Sequence, residues 1–361
     1  MKGRFSMGKI REIKKILKSK PTIEGAGVHL KRAFGYDQVP LLDPFLLLDD
    51  FHSDHPDDYL RGFPWHPHRG IETITYMLYG KVEHGDSMGN KGTISSGDVQ
   101  WMTAGSGIIH QEMPKGQKDG LMWGFQLWAN LPASHKMMDP RYRDVKSKQI
   151  PEVTLDRGVK VKIICGEVNP VRNSSRCDSK PSGALNPAGI ILKSNPAAAA
   201  GPEGLWARRE QRGIISNGVN GVKGPVQDIV IDPEYLDITV PSKSSFTHPV
   251  KRGHTVLAYV IEGAGYFDPR RDAYAYEVEG ANYFDFKREC FMSSETLILF
   301  DKGDEVMIST EEKPVRFLLI SGKPIGEPVA WYGPIVMNTQ EELRIAFEEY
   351  QNRTFIKHKK K

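Results

Sequence analysis

Two stretches decide the fold: "ITYMLYGKVEH" (residues 74–84) and "LAYVIEGAGYF" (residues 257–267). Each sets an apolar, aromatic-rich run before a glycine turn and then starts another run, which is the signature of two strands joined tightly. A second pair repeats the relationship in the same order. "ISSGDVQWMTAG" (94–105) and "LILFDKGDEVMIS" (297–309) each place a Gly-Asp turn before an apolar strand. Strand-like runs of the same style surround both, in "LMWGFQLWANLP" (121–132), "VKVKIICGE" (159–167), "IVIDPEYLDITVP" (229–241) and "VRFLLISGKPI" (315–325). Many short strands with frequent turn residues predict an all-β protein of sandwich or barrel type. The internal echo predicts two such barrels in tandem, over residues 22–150 and 151–338, related by duplication.

Two segments depart from this pattern. The tail "NTQEELRIAFEEYQNRTF" (338–355) places Glu342 three residues after Thr339, a capping-box spacing. Leu343, Ala346, Phe347 and Tyr350 then recur at helical intervals, so one helix is expected over 339–356, packed on a barrel. Residues 170–220 are rich in Pro, Gly, Ser, Asn and Ala and interrupt strand-like text on both sides. Excising them joins "CGEVN" to "GVKGPVQDI", so the segment is expected to be a disordered surface insertion in the second barrel.

Composition narrows the function classes. Lysine and arginine number 49 against 45 acidic residues, a net charge of +4. Much of the excess lies in the first twenty residues and in the closing "KHKKK" (357–361). A balanced body argues against a nucleic-acid surface, which needs a basic stripe on a folded face. Cys165, Cys177 and Cys290 form no CxxC pair and fit a reducing compartment. No apolar run approaches the roughly 20 residues of a membrane span. No apolar stretch follows the charged start as a secretory signal would. The expectation is a soluble cytoplasmic protein. "IREIKKIL" (10–17) reads as a short amphipathic segment, or as the product of a start codon upstream of Met7.

Chemistry concentrates in "HPHRGIET" and "GSGIIHQEMP". Residues two apart in an extended chain point to one side, so His66 pairs with His68, and His110 with Glu112. Two such pairs on neighbouring antiparallel strands converge on one ion with three imidazoles and a carboxylate. His84 has no matching partner, and His52, His55 and His135 stand in loop-like text; these four are expected at the surface. His248, His254 and His358 lack a second ligand pair, and His248 marks where a site in the second barrel once stood.

"HPHRGIET", "GDVQWMTAGSGIIHQEMP", "GFQLWANLP", "GPVQDI" and "FEEYQNRTF" together resemble the pirin family of the cupin superfamily, from about Val28 to Phe355 outside the insertion. The resemblance implies two cupin (double-stranded β-helix, or jelly-roll) barrels and one iron in the first. It implies ligands His66, His68, His110 and Glu112. Glu72 stands where other cupins carry a glutamate, and becomes an outer hydrogen-bond partner of the ligands or an alternative ligand. The second barrel, with His248-Pro249-Val250 in place of a His-X-His pair, is expected to hold no metal. The donor set suits Fe(II) and also accepts Mn, Co, Ni, Cu or Zn. The resemblance further implies quercetin 2,3-dioxygenase activity, in which O₂ cleaves the heterocycle of a flavonol with loss of CO and Glu112 is the base for the 3-hydroxyl. Trp65, Trp101, Met102 and Met113 flank the ligands and are expected to line an apolar pocket. Two other readings follow from the same resemblance and fold. One is a redox-sensing regulator whose iron state biases binding to a transcription factor or metabolic enzyme. The other is a cupin isomerase or metal-storage protein.

Overall fold

The structure, a computed structural model, describes residues 8–170, 221–282, 285 and 288–358. Within them the chain forms short strands and one α-helix, as the strand-like text and the capping box predict. Two large sheets match strand for strand. The first runs Arg141–Val145, Val99–Thr103, Ile71–Tyr79, Met122–Asn130, Phe45–Ser53, Val28–Phe34, Lys20–Glu24. The second runs Ile13–Lys18, Thr296–Phe300, Thr255–Gly265, Val315–Gly322, Glu234–Val240, Lys160–Cys165, Glu152–Thr154, with a short strand, Glu277–Val278, beyond its first edge. Each sheet is closed toward a barrel by a smaller one: Phe63–His68, Ile108–Lys115, Lys81–Asp86 and Lys91–Ser95 in the first half, Ser245–Pro249 and Glu305–Ser309 in the second.

The repeated tyrosines explain how the halves join. Strand alternation sends Ile74 and Tyr76 out of the first barrel, and Leu257 and Tyr259 out of the second. All four lie in one buried cluster with Leu48, Phe125, Leu127, Tyr235, Leu318 and Ile320, which spans both large sheets. Each tyrosine hydroxyl donates across to an aspartate of the other half: Tyr76 to Asp237 Oδ2 at 2.7 Å and Tyr259 to Asp50 Oδ2 at 2.8 Å. Burying a polar group costs free energy unless it is hydrogen-bonded, so each tyrosine needs its aspartate. The duplication therefore produces a two-fold-like interface with reciprocal contacts.

The chain ends cross between the halves. Residues 10–17, expected as an amphipathic segment or a start-site by-product, instead lead into the strand Ile13–Lys18 of the second sheet. It pairs antiparallel with Thr296–Phe300, and Ile13, Ile16 and Leu17 are buried. Conversely, Ala330–Tyr332 and Ile335–Met337 pair as a hairpin against the first barrel, where Val336 N donates to Arg69 O at 3.1 Å. The helix is Gln340–Gln351, shorter than the expected 339–356. Thr339 Oγ1 accepts from Glu342 N and Glu342 accepts from Thr339 N, the capping box read in the sequence. After it the chain turns at Asn352 and Arg353, and Phe355 is buried. The expected disorder of 170–220 falls, beyond Pro170, outside the described residues, as do Cys177 and the last three lysines. Cys165 and Cys290 are free thiols.

Candidate metal centre

The strands Phe63–His68 and Ile108–Lys115 pair antiparallel with His66 opposite His110 and His68 opposite Ile108. A bulge between His110 and Glu112 then sets Glu112 opposite Phe63. Gly70 makes the turn out of the first strand at φ +78°, and a Cβ there would sit 1.9 Å from the Val336 carbonyl oxygen. Only glycine permits this approach of the C-terminal hairpin to the site. The result is a triad of imidazoles. Ring centroids lie 4.8 Å apart for His66–His68, 4.4 Å for His66–His110 and 5.0 Å for His68–His110. One ligand nitrogen of each falls within 4.8 Å of the others.

Hydrogen bonds orient two of the rings. His66 Nδ1 lies 2.8 Å from the Pro64 carbonyl and His68 Nδ1 lies 3.1 Å from the Pro334 carbonyl, which turns both Nε2 atoms toward each other at 3.0 Å. His110 is buried and neither of its ring nitrogens has a hydrogen-bond partner. An orphaned buried imidazole beside two inward-turned ones is a donor set that fits a cation, because buried polar atoms otherwise find partners. Burial lowers the pKa of all three, and the neighbouring imidazoles add to it for His68 and His110. The rings are thus neutral, the form that binds metal. Glu112 is also buried, with Oε2 4.0 Å from His110 Nε2 and Oε1 3.3 Å from Thr75 Oγ1. Burial pushes its pKa up to about 7.

Other expected residues stand elsewhere. Glu72 bonds none of the three imidazoles: Oε2 accepts from Trp101 Nε1 at 3.0 Å and Oε1 from Thr103 Oγ1 at 2.8 Å. The reason is parity. Thr75 faces the barrel interior toward Glu112, so Glu72, three residues earlier on the same strand, faces out. Trp101, opposite Ile74 in register, faces out with it. Met102 is buried among Ile71, Ala104 and Ile108, and Trp65 is 52% exposed. Neither these nor Met113 lines the cavity that opens beside the imidazoles. That cavity, about 680 Å³, is walled instead by Leu47, Phe51, Phe63, Met122, Trp128 and Trp331. Sequence reading missed this wall because it is drawn from separate strands and from the C-terminal hairpin.

His84 is a further correction. Expected at the surface, it is buried opposite Glu112 in the ladder, with Nε2 3.6 Å from Asp144 Oδ2. Its strand passes under the site, and alternation turns it inward. His52 and His55 are exposed as expected, whereas His135 is half-buried. In the second barrel His248 stands opposite Val306, the register that pairs His66 with His110 in the first. Its Nε2 bonds Glu234 at 3.0 Å.

Comparisons with known proteins identify the family of the chain. A family model described as Pirin matches residues 27–129, and one described as Pirin C-terminal cupin domain matches residues 235–356. A pirin-like protein of Caulobacter vibrioides is 35% identical over 346 residues, spanning 96% of this chain and 99% of its own. Pirin-1 of Arabidopsis thaliana is 35% identical over 343 residues, spanning 94% and 92%. The crystal structure of quercetin 2,3-dioxygenase from Acinetobacter baumannii aligns with TM-score 0.71 at 26% identity, over 96% of this chain and 98% of that one.

Proposed function

The chain belongs to the pirin family, and on that premise we propose that it is an iron-dependent dioxygenase of the quercetin 2,3-dioxygenase type. The observation that carries the proposal is His110: buried, with both nitrogens unpartnered, beside two inward-turned imidazoles on the wall of a largely apolar cavity. In this reading His66, His68, His110 and Glu112 hold one Fe(II). Bound there, the ion supplies a Lewis-acidic, redox-active centre for a flavonol-like substrate and O₂.

The protein's own contribution is positional. The Pro64 and Pro334 carbonyls fix the tautomers of His66 and His68, leaving Nε2 as the donor atom of each. Thr75 Oγ1, whose hydrogen goes to Gln126 Oε1 at 2.6 Å, stands 3.3 Å from Glu112 Oε1, and Glu112, loosened from the ion, would take the proton from the substrate's 3-hydroxyl. Trp128, Phe51 and Met122 line the cavity and exclude water from that proton transfer. The cavity suits a planar aromatic molecule of modest size.

Anaerobically purified protein, loaded with Fe(II) and given saturating flavonol, is expected to consume O₂ and release CO. The His66→Ala variant is expected to bind less iron and consume no O₂. Absence of uptake by the loaded wild-type protein, or equal uptake by the variant, rejects the proposal.

A further inference from the structure

The large sheet of the first barrel carries an unbroken rung of polar side chains. Arg32 pairs with Asp49, Asp49 with Gln126, Gln126 with Thr75, Thr75 with Gln100, and Gln100 with Asp144. The duplicated sheet provides an internal control. The matching rung of the second barrel is Ile163, Leu236, Leu319, Ala258, Ile298 and Ile16, wholly apolar. The fold therefore does not require polarity at these six positions.

Four of the first barrel's six, Arg32, Asp49, Gln126 and Thr75, line the cavity. Thr75 touches Glu112, so the rung begins at the metal centre and leads away from it across three strands. Its far end is a charged pair. Asp49 accepts from Arg32 Nε and NH2 at 2.8 Å each, and Arg32 NH1 reaches Glu24 at 2.9 Å. Each Asp49 oxygen keeps a free lone pair on the cavity wall, and the guanidinium keeps further N–H groups. Apolar residues flank the rung, Leu47 and Trp128 on one side and Phe51 on the other. A buried ion pair is seldom worth more to stability than the apolar residues that could replace it. Here the sister barrel displays that replacement.

We propose that Asp49, backed by Arg32 and with Gln126 beside it, recognises a second hydroxyl of the substrate, distal to the oxygens held at the metal centre. The inference rests on the flavonol reading above and assigns to Asp49 and Gln126 the reading of the substrate's pendant ring. Adjacent strands lie about 4.8 Å apart, so Asp49, two strands from Thr75, stands on the order of 10 Å from it. That span suits a phenolic hydroxyl on the substrate's pendant ring, lying in the plane between the flanking apolar walls. Gln126 bridges the interval: its Oε1 accepts from Thr75 Oγ1 at 2.6 Å, which leaves its amide NH2 to donate to the substrate.

The test is equilibrium binding without turnover. Protein loaded with Zn(II), which is redox-inert, is titrated anaerobically with 3-hydroxyflavone and with its 3′,4′-dihydroxy derivative. Wild-type protein is expected to prefer the derivative about 10- to 100-fold, the scale of a hydrogen bond to a charged group. In Asp49→Asn and in Gln126→Leu the ratio of the two affinities is expected to collapse toward one. Gln126→Leu leaves the ion pair intact, so misfolding of Asp49→Asn does not spare the proposal. Equal affinities in the wild-type protein, or a preference that survives both substitutions, overturn this inference and leave the flavonol reading standing. Failure of the wild-type protein to bind either compound overturns both.

Discussion

Asp50 sits where the two halves meet and carries the clearest single-residue pH signature. It is buried and accepts from Trp123 Nε1 at 3.0 Å and from Tyr259 at 2.8 Å, and burial pushes its pKa up from 3.8 to about 7. An acid whose folded pKa lies above its unfolded value contributes its full stabilisation below the unfolded value. That contribution drains away as pH rises through the folded one. The window here is pH 4 to 7. Asp50→Asn keeps the shape and removes the charge, so the variant should narrow the stability gap between pH 5 and pH 8 by on the order of 2 kcal/mol. Denaturant midpoints of the metal-free protein at the two pH values measure it; an unchanged gap removes Asp50 from the account. Legibility from sequence also divides at this scale. The grouping of His66, His68 and His110 could be read because residues two apart in extended chain share a face whatever the rest of the fold does, and the same spacing brings Glu112 Oε2 to 4.0 Å from His110 Nε2. Glu72 misled because its distance from His68 crosses the Gly70 turn, after which strand parity is reset. Arg32, Asp49 and Gln126 left no local signal, since their alignment is a product of register between three distant strands.

The C-terminal hairpin and helix act on the metal centre as one element. The Pro334 carbonyl orients His68, and the neighbouring Arg69 grips the tail with NH1 2.8 Å from Glu349, NH2 2.9 Å from the Phe355 carbonyl and its guanidinium 4.2 Å from the Phe355 ring. Lys136 ties the same place from inside, donating to the carbonyls of Gly70 and Val336 at 3.0 Å each. Phe355 is 1% exposed and packs with Ile335, Leu343 and Ala346. Phe355→Ala should cost about 3 kcal/mol through the cavity it leaves. Loosening the tail should also release the Pro334 contact and weaken metal binding about tenfold, the usual scale for a group that orients a ligand. Zn(II) titration against a competing chelator measures the second effect. A variant that loses stability but keeps its metal affinity would separate the tail from the site. The helix itself was readable from its capping box and its i, i+3, i+4 apolar residues. Its destination was not, because an amphipathic stripe states only that a face is buried and leaves open against what. The first strand posed the opposite difficulty. Ile10, Ile13, Ile16 and Leu17 recur at intervals of three and one among charged residues, a spacing that suits a helix face better than the strand it forms.

At the scale of the molecule the duplication gives two barrels with divergent interiors. One is filled by Val161, Leu236, Ile238, Val256, Phe317 and their neighbours; the other is left open beside the imidazoles. The tyrosine–aspartate pairs and the exchanged ends hold the two together, so the packed barrel serves as a scaffold for the open one. The unusual segment, residues 170–220, falls in sequence between two strands of the second half. Its flanks show how the chain would close without it. Glu167–Val168 and Val222–Lys223 pair antiparallel, with Glu167 opposite Lys223 and Val168 opposite Val222. Removing residues 170–220 joins Asn169 to Gly221 and leaves Asn-Gly between paired valines, the sequence most favoured for a two-residue hairpin turn. The ladder on either side already has the register that such a turn demands. The shortened chain is therefore expected to fold with a thermal midpoint no lower than that of the full chain, and to bind one metal ion with the same affinity. Calorimetry and metal titration on the two proteins side by side decide it. A lower midpoint or a lost metal site would mean that the segment is integral to the barrel, and that the Asn-Gly juncture is a coincidence of composition.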